Sequence, residues 1–265
     1  MAYKRPNKTM RKLFFILCMA ICSVCLTSCG GGDDNGPSGS ISNPTLNKSS
    51  ITLYVDETST LTYSGGDCTW KSENALVASV ANGVVTGKHV GETTIYANSL
   101  ACKVTVKPRY TSFTEPYMGW GASQATVKSY MSGYTLYSSS TTQPQLLYNG
   151  KGNVYKYAYS FTDGVLSSSG FYAYPTYMQL LSDYLSERYV VYKVDDTKNI
   201  IYFLSIDGKY MIAYTLTSSS NYLMVIYVPV SSSSTSSKST SEDEKEQAVQ
   251  ALDSQLQELV NSINN

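Results

Sequence analysis

Between residues 42 and 230 the chain alternates apolar and polar residues in short runs, and turn residues interrupt most of them within a few positions. The first set reads "ITLYV", "STLTY", "ALVASV", "GVVTG", "TTIYA" and "CKVTV". Successive strand side chains point to opposite faces, so a period of two builds a surface with one apolar side. Runs this short and this closely spaced, with no helical period, predict a small all-β sandwich over residues 42–108. Asn82-Gly83 supplies the positive φ that a tight hairpin turn requires.

A resemblance rests on particular residues of that segment. Trp70-x-Ser72-x-Asn74, Val77-Ala78-x-Val80, Gly83-Val84-Val85-Thr86-Gly87, Gly91 and Ile95 resemble the bacterial Ig-like group 2 domain. The resemblance implies an Ig-like sandwich with Trp70 in its core and Val104 and Val106 facing inward. It also implies a spacer of the kind found in the stalks of surface adhesins, which sometimes bind ligands; nothing in this segment marks a ligand site. Cys68 lies two residues before Trp70 and Cys102 two before Val104, so each shares the inward face of its strand. The expectation is a Cys68–Cys102 disulfide, with two buried thiols as the alternative. His89, the only histidine, falls in the turn Lys88-His89-Val90-Gly91 and reads as a solvated loop residue.

Residues 109–230 hold 20 of the 24 tyrosines. Here a helix followed by several antiparallel strands occurs twice, giving an α+β domain of two helix-plus-antiparallel-strand units. The first helix is "SQATVKSYM", with Ser123 as N-cap and Gly133 closing it. Strands follow near residues 146–148, 153–161 and from 165 onward, with Asn149-Gly150 and Asp163-Gly164 as turn signals. The second helix, "YMQLLSDYLSER", carries Met178, Leu181 and Leu185 along one stripe. A four-stranded meander over residues 189–230 completes the second unit, with Asp207-Gly208 at its tightest turn. In topology alone this resembles the tandem αβ units of β-lactamase-inhibitor-protein-like folds.

The Ser-rich run that follows turns acidic over residues 231–247 and reads as a linker. Ala248, Leu252, Leu256, Leu259, Val260 and Ile263 then make an amphipathic helix over residues 248–265. It either folds back onto the protein or serves a partner helix. At little more than two heptads it is marginal alone, which favours folding back.

The N-terminus gives an address. Lys4, Arg5, Lys8, Arg11 and Lys12 precede sixteen almost uncharged residues, 13–28, the pattern of a secretory signal and too short to span a bilayer, which takes ~20. Leu26-Thr27-Ser28-Cys29 resembles a bacterial lipobox, which implies lipidation of Cys29 after removal of the signal peptide, residues 1–28. Gly30 and the acids Asp33-Asp34 resemble export signals to the outer membrane and cell surface. Residues 29–41 read as a flexible tether. Loss of the signal leaves 15 basic and 20 acidic side chains, a net of −5, with no basic patch to suit nucleic acid.

Chemistry is sparse. Gly121-Ala122-Ser123-Gln124-Ala125 lacks the last glycine of a nucleophile elbow, and no histidine follows it. One histidine and few cysteines leave no zinc set, no calcium loop is present, and no cofactor motif appears. Glu115, Asp163, Asp183, Glu187 and Asp195 are acids that only geometry could pair for glycoside hydrolysis. In "NVYKYAYSF", Tyr155, Tyr157, Tyr159 and Phe161 share a face that packs under a helix or stands exposed as an aromatic ladder. Phe171, Tyr172, Tyr174 and Tyr177 of "FYAYPTY" are the candidate ligand-binding cluster, because tyrosine offers a large rigid ring with a polar tip. The expectation is a non-enzymatic surface-binding or adhesion lipoprotein for a glycan or protein. A surface glycosidase and an assembly subunit of an outer-membrane complex are the alternatives.

Overall fold

The computed structural model describes residues 43–140, 145–216, 221–230 and 242–263, with side chains left out at 139, 140 and 257–263. The signal peptide, Cys29, the tether and most of the Ser-rich linker lie outside the described residues. The chain is mostly β-sheet with three helices among those residues. None of these helices is long and apolar enough to cross a membrane.

Two sheets face each other in the N-terminal part. β1 (Ser50–Tyr54), β7 (Leu100–Lys107), β6 (Gly91–Ala97) and β3 (Trp70–Ser72) form one in that order. β2 (Thr58–Thr60), β5 (Val84–Gly87) and β4 (Ala78–Ala81) form the other. Register follows the alternation: parallel pairing sets Ile51 beside Val104 and Leu53 beside Val106. These four share one core with Ile95, Ala78 and Val85. Asn82 and Gly83 take φ of 49° and 79°, the left-handed pair that turns β4 into β5. Trp70 is half-buried at the margin of this core rather than filling it.

The expected disulfide is absent. Cys68 and Cys102 are free thiols, Cys102 buried and Cys68 half-buried. Cys102 pairs with Ile95 on β6, and Trp70, just after Cys68, pairs with Ala97 on the other side of β6. An intervening strand separates two cysteine-bearing segments by roughly 10 Å, whereas a disulfide needs Cα atoms within about 7 Å. Cys102 faces the core from β7, whereas Cys68 lies ahead of β3 and outside it, so shared parity did not bring the two together. Burial pushes the Cys102 thiol up.

Eight antiparallel strands make the third sheet. β8 (Leu136–Ser140), β9 (Gln145–Asn149), β10 (Lys156–Thr162) and β11 (Val165–Ala173) form one meander. β12 (Tyr189–Asp195), β13 (Ile200–Ser205), β14 (Tyr210–Leu216) and β15 (Leu223–Pro229) form the other. The meanders join through β11 and β15, with Gly170 opposite Ile226, so each begins at an outer edge. Asp163 and Gly164 take positive φ and turn β10 into β11. Asn149-Gly150, expected as a turn, instead opens a longer loop whose left-handed residue is Gly152.

Helices cover both faces of this sheet. α1 (Gln124–Tyr130) starts where the Ser123 hydroxyl accepts the Thr126 N–H at 3.2 Å. α2 (Met178–Ser186) follows a short 3₁₀ turn opened by Pro175. Val127 from α1 and Leu181, Tyr184 and Leu185 from α2 pack on Tyr157, Tyr159, Phe161, Phe171 and Tyr227. So "YAYSF" packs under helices from Tyr157 onward, while Tyr155, ahead of the strand, joins the opposite face.

α3 (Glu242–Ile263) lies on that opposite face, with Ala248, Val249, Leu252 and Leu256 against Ala158, Tyr172, Ala213, Met224 and Ile226. It starts six residues before the apolar stripe does, because Glu242, Asp243 and Glu244 favour the positive end of the helix dipole. Leu259, Val260 and Ile263 belong to the side chains outside the description.

The two β-rich parts meet closely. Arg109 N–H donates to both oxygens of the Glu187 carboxylate at 2.9 and 3.0 Å, and Tyr110 N–H donates to Oε2 at 3.0 Å. Val90 N–H donates to the Glu187 carbonyl at 2.7 Å, and Ile206 packs on the sandwich core.

Candidate functional site

The expected cluster at residues 171–177 divides. β11 alternates, so Phe171 and Tyr172 point into opposite layers, 1% and 3% exposed. Neither offers a surface, and the binding role expected of them is withdrawn. The reason is α3: with helices on both faces, the interior of the sheet leaves no wet side for its tyrosines. Burial pushes the Tyr172 phenol well above its ordinary value. Among the described residues its hydroxyl has no hydrogen-bond partner. Tyr177 is half-buried, its ring edge-on to Phe113 at 6.3 Å.

Tyr174 remains outside, 46% exposed, just past the end of β11. Strand ends bring other rings to it. Tyr155, ahead of β10, stacks on Tyr222, ahead of β15, with centroids 4.6 Å apart and planes 7° from parallel. Tyr174 lies 5.2 Å from Tyr155 and 5.7 Å from Tyr222. The Lys156 ammonium sits 3.1 Å from the centre of the Tyr137 ring and 5.1 Å from that of Tyr155. Tyr137, on edge strand β8, is 59% exposed. The Tyr222 hydroxyl, then burial, push the Tyr155 phenol up, and the Lys156 charge opposes them.

Four rings and an ammonium thus form an aromatic surface with hydroxyl tips, at one end of β10, β11 and β15. Such a surface can stack on sugar rings or apolar side chains and exchange hydrogen bonds at its rim. Sequence reasoning found Tyr174 and missed Tyr137, Tyr155 and Tyr222 as its neighbours. They lie on three other elements, and only the strand order brings them together.

The five candidate acids are engaged in different ways. Glu187 is buried and occupied by backbone N–H groups. Asp195 accepts from Thr197 and the Lys198 N–H, and the Thr197 hydroxyl is the first cause holding its carboxyl below the usual range. Asp183 accepts from Gln179 at 2.7 Å, and Asp163 sits in a hairpin turn. Of the five, Glu115 lines a cleft, with Tyr189 and Tyr210. His89 Nδ1–H donates to the Leu76 carbonyl at 2.6 Å, in a bend. Among the described residues no group of three or more His, Cys, Asp or Glu side chains converges to hold a metal ion. No protein-family model matches the chain, and comparison with curated proteins finds no match either.

Proposed function

We propose that this protein is a lipid-anchored surface protein that binds a glycan or protein ligand without catalysis. In this reading Cys29 carries the lipid, the Ig-like part is the spacer, and the α+β part, akin to β-lactamase-inhibitor-protein-like units, presents the binding surface. The observation that carries it is the aromatic surface formed by exposed Tyr137 and Tyr174 with half-buried Tyr155 and Tyr222. Large tyrosine rings left at a surface are the usual anchors of recognition. The hydrogen bonds that engage Glu187, Asp183 and Asp195 favour binding over glycoside hydrolysis at those acids. α3, resting on its own sheet, gives no support to an assembly role.

The test is a screen of the full chain in detergent against a glycan array and a panel of surface proteins. A ligand is expected, and Tyr137→Ala with Tyr174→Ala should weaken it about tenfold, two exposed stacking contacts' worth, at nearly unchanged stability. No ligand, or equal affinity in the double variant, sinks the reading. Mass spectrometry of the same preparation should find an acyl adduct on Cys29; an unmodified thiol there removes the anchor.

A further inference from the structure

A second concave surface lies between the sandwich and the eight-stranded sheet, away from the tyrosine surface. It is a cleft of about 440 Å³, within the ordinary range for small-molecule sites, which runs from about 300 to 1,000 Å³. Val77, Val90 and Glu92 line it from the sandwich, and Glu115, Tyr189 and Tyr210 from the other side. Arg188 and Asp207 complete its charged groups.

The charges in this cleft are unequally satisfied. Arg188 is spent inside the protein: it donates to the Tyr184 and Tyr110 carbonyls at 2.9 and 2.8 Å and lies 3.6 Å from Glu187. Asp207 pairs with Lys209 at 3.1 Å. Glu115 and Glu92 have no such partner: among the described residues neither forms an ion pair. Glu115 accepts from the phenols of Tyr189 and Tyr184, both neutral, and Glu92 accepts a long 3.4 Å bond from Thr105. The Tyr189 and Tyr210 rings stand nearly perpendicular, 76° apart with centroids separated by 6.0 Å, and make an aromatic corner beside Glu115. The field of Glu115 reaches further. After burial, its charge helps hold the phenols of Tyr184 and Tyr227 protonated.

A cleft with two uncompensated carboxylates, tyrosine walls and one internally occupied cation repels anions and attracts cations. It supplies acceptors and π surface, and almost no free donors. Inorganic cations prefer several converging oxygens, which the described residues do not provide. An alkylammonium group suits the lining better, because it donates to carboxylates and lays its carbons on aromatic and valine surface. We infer that this cleft binds a primary ammonium group carried on a short aliphatic or sugar frame, with Glu115 and Glu92 as counter-charges and Tyr189 and Tyr210 as walls. The ammonium can come from a free small amine or from a lysine side chain of a peptide.

Calorimetric titration of the full chain in detergent tests this with cadaverine, glucosamine and a tetrapeptide bearing one lysine, each beside its N-acetylated counterpart. Saturable binding of at least one amine is expected, weakened about tenfold by acetylation and by Glu115→Gln, the usual scale for losing one partly shielded charge contact. Which amine binds separates the free-amine source from the peptide source. Glu115→Gln keeps an oxygen to accept the Tyr189 hydroxyl. Glu92→Gln, at an exposed position, should weaken binding in the same direction and carries the test if the first variant misfolds. Absence of saturable binding by every amine, equal binding of the acetylated forms, or wild-type affinity in a folded variant overturns the inference.

Discussion

Glu187 is the residue on which the joint between the two β-rich parts turns. It is 5% exposed, and its carboxylate gathers the N–H groups of Arg109 and Tyr110, the first residues after the sandwich. Arg188, beside it, donates to the Tyr110 carbonyl and lies over the Tyr184 ring at 3.7 Å. Arg109 in turn reaches Glu57 at 3.0 Å, an exposed pair that contributes little. A buried carboxylate that takes three hydrogen bonds from two backbone N–H groups is a different matter, since its removal strands donors that water reaches poorly. Glu187→Ala should therefore cost on the order of 3 kcal/mol, and Glu187→Gln, which keeps one acceptor oxygen, clearly less. Urea unfolding gives the magnitude and limited proteolysis near residue 109 the location. Equal and small losses in both variants would show that the joint is held elsewhere.

At the scale of elements, α3 decides what the eight-stranded sheet can show to solvent. Its apolar residues meet Met224, Ile226 and Ala213, and its polar ones tie down the rim: Asp253 accepts from Tyr202 and Lys198, both at 2.5 Å, and Gln255 from Ser168 at 2.8 Å. Leu252 is fully buried, so Leu252→Ala should lower stability by about 2–4 kcal/mol, transfer and cavity together. A shift in urea midpoint worth less than ~1 kcal/mol would mean that the helix is only loosely seated. The stripe at residues 248–256 was legible from its 3.6-residue period, as were the Ser123 cap and the Asn82-Gly83 and Asp163-Gly164 turns. All of these are local signals. What the helix lies on is not local, and the same ignorance misplaced Phe171 and Tyr172: period two says that neighbours face opposite ways, not which way is wet. Cys68 and Cys102 failed for a related reason, because parity is readable along a strand while strand order is not. Exposed Tyr137 and half-buried Tyr155 and Tyr222 carry no sequence mark that separates them from the buried tyrosines.

For the whole molecule, the tyrosines set a limit at alkaline pH. Tyr157, Tyr159, Tyr172, Tyr184, Tyr189, Tyr202, Tyr214 and Tyr227 all have phenols pushed up, with burial as the first cause in every case. The folded chain therefore holds these protons at pH values where an unfolded tyrosine, ionising near 10, gives them up. Where the native state binds more protons than the unfolded state, stability falls as pH rises. The contribution of these phenols is complete below pH ~10 and is lost progressively above it, toward their raised folded values. Because they lie in two apolar layers on one sheet, their ionisation should accompany a cooperative loss of the sheet and not precede it. Titrating the chain while following tyrosinate absorbance and far-ultraviolet circular dichroism together should give a late, steep absorbance step coincident with loss of strand signal. Smooth ionisation of all 24 tyrosines near pH ~10 with the strand signal intact would mean that the layers admit water and that the sheet is not packed as described.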